Sequence, residues 1–181
     1  MAVQQSIPRV ILGGRALLLG PSGDIAFPGP PTALLHVQSG SATDPAVVAA
    51  AASGTTVVVA GESGQQEEAR RAARDLLARS TELAGRGSGP VGSVVVEVPV
   101  GPSVPPITAE WVAEVMSDGL LVGAVLSANI AGAEIGLLTQ VLSAGVCLVR
   151  GADPVRFRRV RTVVESLSLA GSHTTEAGEG S

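Results

Sequence analysis

A regular alternation of apolar strand-length runs and helix-length segments is the feature that most limits how this chain can fold. From Thr32 onward, five strand–helix units follow one another. Runs such as "TTVVVAG" and "GSVVVEVPV" are rich in β-branched residues and are typical of buried strands, whereas "QQEEARRAARDLLARSTELAG" has the three-or-four spacing of an amphipathic helix. This alternation predicts a parallel α/β sheet or barrel.

Helix starts and buried stripes can be read from the same units. Asp44 and Asp153 each precede a proline and are predicted N-caps, because proline suits the first helical position. Thr108 is the predicted cap of "ITAEWVAEVMSD", and Gly54 the residue that follows the first helix. The predicted buried positions are Ala69, Ala72, Ala73, Leu76, Leu77 and Leu83 in the long helix, and Phe157, Val160, Val164 and Leu167 in the last helix.

Composition excludes several classes of function. All 12 basic residues are arginine, and without lysine the chain cannot form a Walker-type phosphate loop or a Schiff base. The net charge of −4 and the 2% aromatic content argue against nucleic-acid binding. One cysteine, Cys147, and two histidines are too few for a disulfide framework or a zinc cage. We expect a buried structural thiol at Cys147.

The expected setting is the cytoplasm. The N-terminal segment is broken by proline, arginine and glycine and does not resemble a signal peptide. Glu134 divides the longest apolar stretch into halves shorter than the roughly 20 residues of a spanning helix, so no membrane segment is expected. We divide the chain into an N-terminal strand or hairpin with a loop (1–31), the β/α-repeat domain (32–169) and a polar, disordered tail (170–181).

The last units resemble a known family. "LVGAVLS" and "VRGADPVRFRRVRTVVESL" resemble the seventh and eighth strand regions of dihydropteroate synthase, the pterin-binding (β/α)8 barrel of folate synthesis. Working backward, "VVVEVPVG", "TTVVVAGESG" and "ALLHVQSGSATDPAVVAAAASG" resemble its sixth, fifth and fourth units. The resemblance covers roughly residues 32–169 and implies a TIM-like barrel. Because a full barrel takes at least about 200 residues, this one is expected to be partial or shortened.

The family's signature residues are mostly absent. Its seventh-strand Ser-Arg-Lys falls on Val125, Leu126 and Ser127, so the arginine and the pterin-facing lysine are lost. The Asp-Pro-Gly aspartate falls on Val98, beside Glu97. The first-strand loop that helps to hold the pyrophosphate and its metal has no counterpart, so Mg²⁺ is expected only if a pyrophosphate site survives, and no other cofactor or metal is expected.

Other signature positions are kept in part. In the eighth-strand Arg-x-His-Asp motif, Arg150 and Asp153 persist and the histidine is replaced by Ala152. The family's Asn-Asp pair falls near Leu35 and His36. Aligning "VVVAGESG" with the second strand instead keeps Glu62 and Ser63. The candidate residues for binding an anion or substrate are therefore Arg150, Asp153, Glu97, Glu62 and His36.

Each candidate also has a structural interpretation. Arg150 ends a strand beside a helix N-terminus, where it could bind an anion or pair with Asp153 or a neighbouring carboxylate. Glu62 and Glu97 could act as acid and base or be solvated carboxylates. His36 is interpreted as a satisfied core or rim histidine rather than a general base, and the arginines of the last helix as a solvated face.

Three hypotheses follow. The first is a degenerate dihydropteroate synthase-like protein, a pseudoenzyme without synthase activity that binds a ligand, a partner protein or a second copy of itself. The second is a divergent enzyme on the same scaffold that uses a small anionic substrate. The third is a structural self-assembly module.

Overall fold

The computed structural model describes residues 17–19, 34–61, 65–87, 91–102, 104–126 and 133–175. The strands are β1 (Leu17–Leu19), β2 (Leu34–Gln38), β3 (Thr56–Ala60), β4 (Val94–Val100), β5 (Leu121–Leu126) and β6 (Leu148–Arg150). The helices are α1 (Pro45–Ala52), α2 (Gln66–Gly85), α3 (Ala109–Ser117), α4 (Glu134–Ser143) and α5 (Pro154–Thr175). A short 3-10 turn, Ser39–Ser41, follows β2.

The strands form one six-stranded sheet in the order β1-β6-β5-β4-β3-β2. Every pair of neighbours is parallel, and β2 to β6 lie side by side in chain order with a helix in each connection. This confirms the predicted α/β architecture with a parallel sheet. β1 and β2 are the outermost strands of the described sheet. β1 belongs to the predicted 1–31 segment, most of which lies outside the described residues.

The helices cover one side of the sheet, which we call the helical face. Because side chains alternate along a strand, every second residue points to this side. The buried strand residues of the helical face are Val57, Val59, Val94, Val96, Val98, Val100, Val122, Ala124, Leu126 and Val149. They pack against buried side chains from all five helices, including Leu76, Val112, Leu138 and Phe157. Almost all of these core residues are small and aliphatic, so the core contains few aromatic side chains.

The other side of the sheet, which we call the second face, has a different composition. Its apolar cluster consists of Val58, Val95, Cys147 and Leu148, with Leu121 packed against it. None of these residues belongs to a described helix. Glu97 lies on the same side as Val95, two residues further along β4, and is buried.

Of the predicted caps of α3 and α1, Thr108 makes the expected side-chain hydrogen bond and Asp44 does not. The Thr108 hydroxyl accepts a hydrogen bond from the Trp111 backbone N–H, at 3.2 Å, as expected. Asp44 stands at the N-cap of α1 but makes no capping hydrogen bond with its side chain. Gly54 follows α1 with φ of +96°, a left-handed conformation that glycine adopts without strain.

Two of the predicted buried positions are wrong. Leu83 is 42% exposed and Leu167 is 67% exposed. Both lie in the later turns of a long helix. In those turns the buried stripe of the helix either continues through smaller side chains or ends. In α2 the buried stripe runs through Ser80 and Ala84. α5 extends to Thr175, into the 170–181 segment that the sequence assigns to a tail. Within the described ranges, no helix is long and apolar enough to cross a membrane.

Candidate polar site on the second face

Three of the predicted site residues meet on the second face of the sheet. His36 lies in β2, Glu97 in β4 and Arg150 in β6, so the three side chains come from alternate strands of the sheet. We call these three side chains the polar layer. The sequence places each of them in or at the end of a strand, but only the sheet brings them together.

The register of the strands explains why side chains two strands apart can touch. The β4 residue level with His36 in the hydrogen-bond register is Val95, and Glu97 lies two residues further. The β6 residue level with Glu97 is Leu148, and Arg150 lies two residues further. The polar layer thus advances one residue for each strand crossed. This is the stagger of tilted strands in a coiled parallel sheet, which brings residues of alternate strands to one level.

Glu97 is the centre of the polar layer. The Arg150 guanidinium donates from Nε to Glu97 Oε2 at 3.0 Å and from Nη2 to Oε1 at 2.5 Å. The His36 Nε2 lies 2.9 Å from the same Oε1. Glu97 is 2% exposed, whereas the side chains of Arg150 and His36 are 26% and 31% exposed. The bidentate geometry of the arginine–carboxylate pair is the strong form of this contact.

The electrostatics of this pair follow from its burial and its hydrogen bonds. Burial by itself would raise the pKa of Glu97, but the hydrogen bonds from His36 and Arg150 and the charge of Arg150 hold that pKa below its ordinary value. The hydrogen bonds to Glu97 raise the pKa of Arg150 against the opposing effect of desolvation. Glu97 is therefore an ionised, buried carboxylate with a compensating charge.

The turn after β6 depends on a glycine. Gly151 has φ of +83°, a region that other residues rarely adopt. A Cβ at this position would lie 2.8 Å from the Leu126 carbonyl oxygen, closer than real contacts allow. Gly151 therefore lets the chain turn immediately after Arg150 and enter α5, while the Arg150 side chain remains on the second face.

Asp153 does not join the polar layer. Its Oδ1 accepts hydrogen bonds from the backbone N–H groups of Val155 at 3.0 Å and Arg156 at 2.9 Å, which makes it the N-cap of α5. Its own backbone N–H donates to Glu134 Oε1 at 2.7 Å. Of the alternatives for Arg150, the structure shows pairing with a neighbouring carboxylate, Glu97, and not with Asp153. Glu62 lies outside the described residues.

Glu134 is a buried carboxylate that sequence reasoning did not select. It is 8% exposed and accepts a hydrogen bond from Arg156 Nη1 at 2.6 Å in addition to the one from Asp153. It begins α4 and ties this helix to the first turn of α5. Its position as the only charge in a long apolar stretch was the available signal, because an isolated charge there must find a partner to be buried.

Two further features lie apart from the polar layer. Burial raises the pKa of the Cys147 thiol to about 12, and its Sγ donates to the Val122 carbonyl oxygen at 3.1 Å, so the predicted burial of this thiol is confirmed. A surface groove of about 270 Å³ contains none of the predicted site residues. It is lined by Thr43, Pro45, Val48, Arg79, Glu82, Leu83 and Arg86.

The donor set of the polar layer does not fit a metal ion. Both carboxylate oxygens of Glu97 already accept hydrogen bonds from Arg150, and a cation there would face the guanidinium charge. Across the residues that the structure describes, no group of three or more histidine, cysteine, aspartate or glutamate side chains is placed to hold a metal.

Comparison with known proteins gives only weak structural likeness. No protein-family model matches the sequence, and no curated protein matches it. The chain is similar to the solved structure of Mycobacterium tuberculosis Rv1207, with 20% sequence identity and a TM-score of 0.46 over 74% of this chain. It spans 59% of the length of that chain.

Proposed function

We propose that this chain is a binding or partner protein on a scaffold like that of dihydropteroate synthase, without synthase activity. The observation that carries the proposal is the engagement of Arg150 by Glu97. By the resemblance to dihydropteroate synthase, Arg150 corresponds to the arginine of the eighth-strand signature and is the basic signature residue that persists. Its charge is compensated by a buried carboxylate of the same chain, so it is not presented as a free cation to an anionic substrate.

The scaffold itself is proposed to be a partial or shortened barrel. The parallel order from β2 to β6, the helices on one face and the advance of one residue per strand all agree with the shear of a (β/α)8 barrel. In such a barrel the second face would be the interior, and the polar layer would be one of its side-chain layers. The described sheet supplies six of the eight strands of a full ring.

Loss of synthase activity follows from chemistry that the chain lacks. A lysine cannot be supplied from elsewhere in the fold, because the sequence contains none. Pterins carry many donors and acceptors, and each one left unpaired in a buried site costs about 1–3 kcal/mol. Two such losses, together about 2–6 kcal/mol, would weaken binding by a factor of about 30 to about 20,000.

A divergent enzyme for a small anion is the second candidate. It is favoured by the partial exposure of His36 and Arg150, which leaves an accessible side of the polar layer beside the buried Glu97. The remaining hypotheses, self-assembly and pairing with a second copy or another protein, concern the oligomeric state of the chain. For these we propose that β1 and β2, the outermost described strands, lie where such a sheet could be completed.

The test is a turnover assay with a pterin pyrophosphate, 4-aminobenzoate and Mg²⁺, with an authentic dihydropteroate synthase as positive control. We expect no dihydropteroate and no shift of the melting temperature with pterin or pyrophosphate. Product formation, or a clear pterin-dependent rise in melting temperature, would overturn the proposal. Light scattering on the same sample gives the molar mass, and a monomer at all concentrations would remove the self-assembly alternative.

A further inference from the structure

We propose that the surface groove between α1 and the last turns of α2 binds a small aliphatic carboxylate. Arg79 and Thr43 supply the hydrogen-bond donors, and Leu83 and Val48 supply the apolar contacts. We call this groove the α1–α2 groove. It shares no residue with the polar layer, so this site goes beyond the proposed function. The lining, the charge and the size of the groove define the ligand.

The lining of the α1–α2 groove is largely apolar. Pro45 and Val48 contribute from α1, and Leu83 contributes from α2. Leu83 follows the helical spacing of the buried stripe of α2 but is 42% exposed. The groove therefore leaves apolar surface in contact with water. A ligand with an apolar body that fills the groove would release this water, which favours binding.

Two polar side chains line the same groove and are available to a ligand. Neither the Arg79 guanidinium nor the Thr43 hydroxyl has a hydrogen bond or an ion pair with any other residue that the structure describes. A guanidinium offers only donors, and a hydroxyl can donate one hydrogen bond. A carboxylate has two acceptor oxygens, and its hydrogen bonds to arginine are charge-assisted and strong. Apolar walls with a few polar groups are typical of small-molecule sites.

The charges of the lining favour an anion. Arg86 donates from Nη2 to Glu82 Oε1 at 2.6 Å, so these two lining residues compensate each other. Asp44, which precedes Pro45 in the chain, is exposed and does not line the groove. Arg79 is then the uncompensated charge of the lining. It attracts an anionic ligand and repels a cationic one.

The size of the groove and the spacing along α2 limit the shape of the ligand. Arg79 and Leu83 are four residues apart on one helix, so their Cβ atoms are separated by about 5–6 Å. The carboxylate of the ligand must therefore be attached directly to its apolar body. The groove volume of about 270 Å³ is close to the lower end of the range for ligand sites. An aliphatic body of about four to six carbons fits both limits.

The experiment titrates hexanoate into the full chain and follows the methyl signals of Val48 and Leu83 by nuclear magnetic resonance. We expect the signals of both residues to shift with one Kd of about 1–10 mM, because so small a ligand has few contacts. Acetate has the charge without the apolar body, and hexanol has the apolar body without the charge. Each should bind at least about tenfold more weakly than hexanoate.

Two arginine variants locate the charge that matters. Arg79→Gln keeps a polar side chain but removes the guanidinium, and should weaken hexanoate binding at least about fivefold. Arg71→Gln is the matched control. Arg71 is an exposed arginine of the same helix that does not line the groove and lies about 12 Å of helix before Arg79. It removes the same charge from the chain and should change the Kd by less than about twofold.

A third variant tests the apolar part of the site. Leu83→Ser keeps Arg79 but removes most of the exposed apolar surface of α2 in the groove. It should weaken hexanoate binding about fivefold and leave the weaker binding of acetate unchanged within about twofold. The melting temperature of each variant, measured without ligand, shows whether the chain is folded before the affinities are compared.

Four results would overturn the proposal. They are the absence of shifts at Val48 and Leu83, equal affinity for hexanol and hexanoate, equal effects of Arg79→Gln and Arg71→Gln, and hexanoate binding that Leu83→Ser does not weaken. Methyl signals that shift with protein concentration instead of with hexanoate would assign the groove to a second copy of the chain and would overturn it too. Synthase turnover does not involve this groove, so product formation would overturn the proposed function alone.

Discussion

The two faces of the sheet solve different problems with the same strands. The buried strand residues of the helical face are all apolar and are covered by side chains from all five helices, so the hydrophobic effect accounts for most of its packing. The second face places a buried carboxylate among valine and leucine side chains and compensates it with an arginine and a histidine. Burial of a charge is unfavourable unless it is paired, so loss of one charged partner in the polar layer is expected to be tolerated best when the other changes with it.

The largest effect is expected for Arg150→Met. The substitution keeps an unbranched apolar stem but removes the guanidinium, which leaves Glu97 buried with only His36 as a partner. We expect a loss of about 3–5 kcal/mol in the free energy of unfolding, measured by urea denaturation. Arg158→Met, at an exposed position of α5, is the matched control and should change stability by less than about 0.5 kcal/mol. Equal losses of stability in the two variants would mean that the Glu97–Arg150 ion pair contributes no more to stability than an exposed arginine does.

A double variant sharpens the same comparison. Glu97→Leu combined with Arg150→Met replaces the charged pair by apolar side chains of similar volume. It should recover at least half of the stability lost in Arg150→Met, because no unpaired buried charge remains. A double variant as unstable as the single one would show that the destabilisation comes from packing rather than from charge.

Leu76→Ala probes the helical face. Leu76 is fully buried, and its truncation should cost about 2–5 kcal/mol through lost burial and a cavity. Leu83→Ala, on the same helix but 42% exposed, should cost less than about 1 kcal/mol. Thermal or urea unfolding of the two variants tests directly whether Leu83 lies outside the buried stripe of α2, and a larger loss of stability at Leu83 would contradict the structure.

Acidification should weaken the polar layer of the second face. The pKa of Glu97 is lower in the folded chain than the ordinary value of about 4.3. Between the two values the unfolded chain binds a proton that the folded chain does not, so this contribution to stability is complete above the ordinary value and disappears as the pH falls through the folded one. Glu97→Gln should flatten that part of the stability–pH curve, and an unchanged slope would argue against an ionised Glu97.

The smallest effect separates two helix starts with the same Asp-Pro sequence. Asp153→Ala removes two hydrogen bonds to the first turn of α5 and should cost about 1 kcal/mol. Asp44→Ala removes a side chain that makes no capping bond and should cost less than about 0.5 kcal/mol. Differential scanning calorimetry of both variants makes the comparison, and a reversed order would contradict the cap geometry.

Much of the fold could be predicted from local pattern. The strand and helix runs, the Thr108 cap, the Asp153 cap and the burial of Cys147 all depend on residues close together in the chain. The exposure of Leu83 and Leu167 could not be predicted in this way. It depends on which part of the helix surface the neighbouring elements cover, and helical periodicity does not contain that information.

The candidate site shows the same division more sharply. The sequence by itself determined that His36, Glu97 and Arg150 lie in strands and that two of them could carry opposite charges. It left open whether Arg150 would pair with Asp153, three residues away, or with a more distant carboxylate. Only the tertiary structure selected Glu97, because the stagger of parallel strands brings residues of β2, β4 and β6 to one level while Asp153 turns away to cap α5.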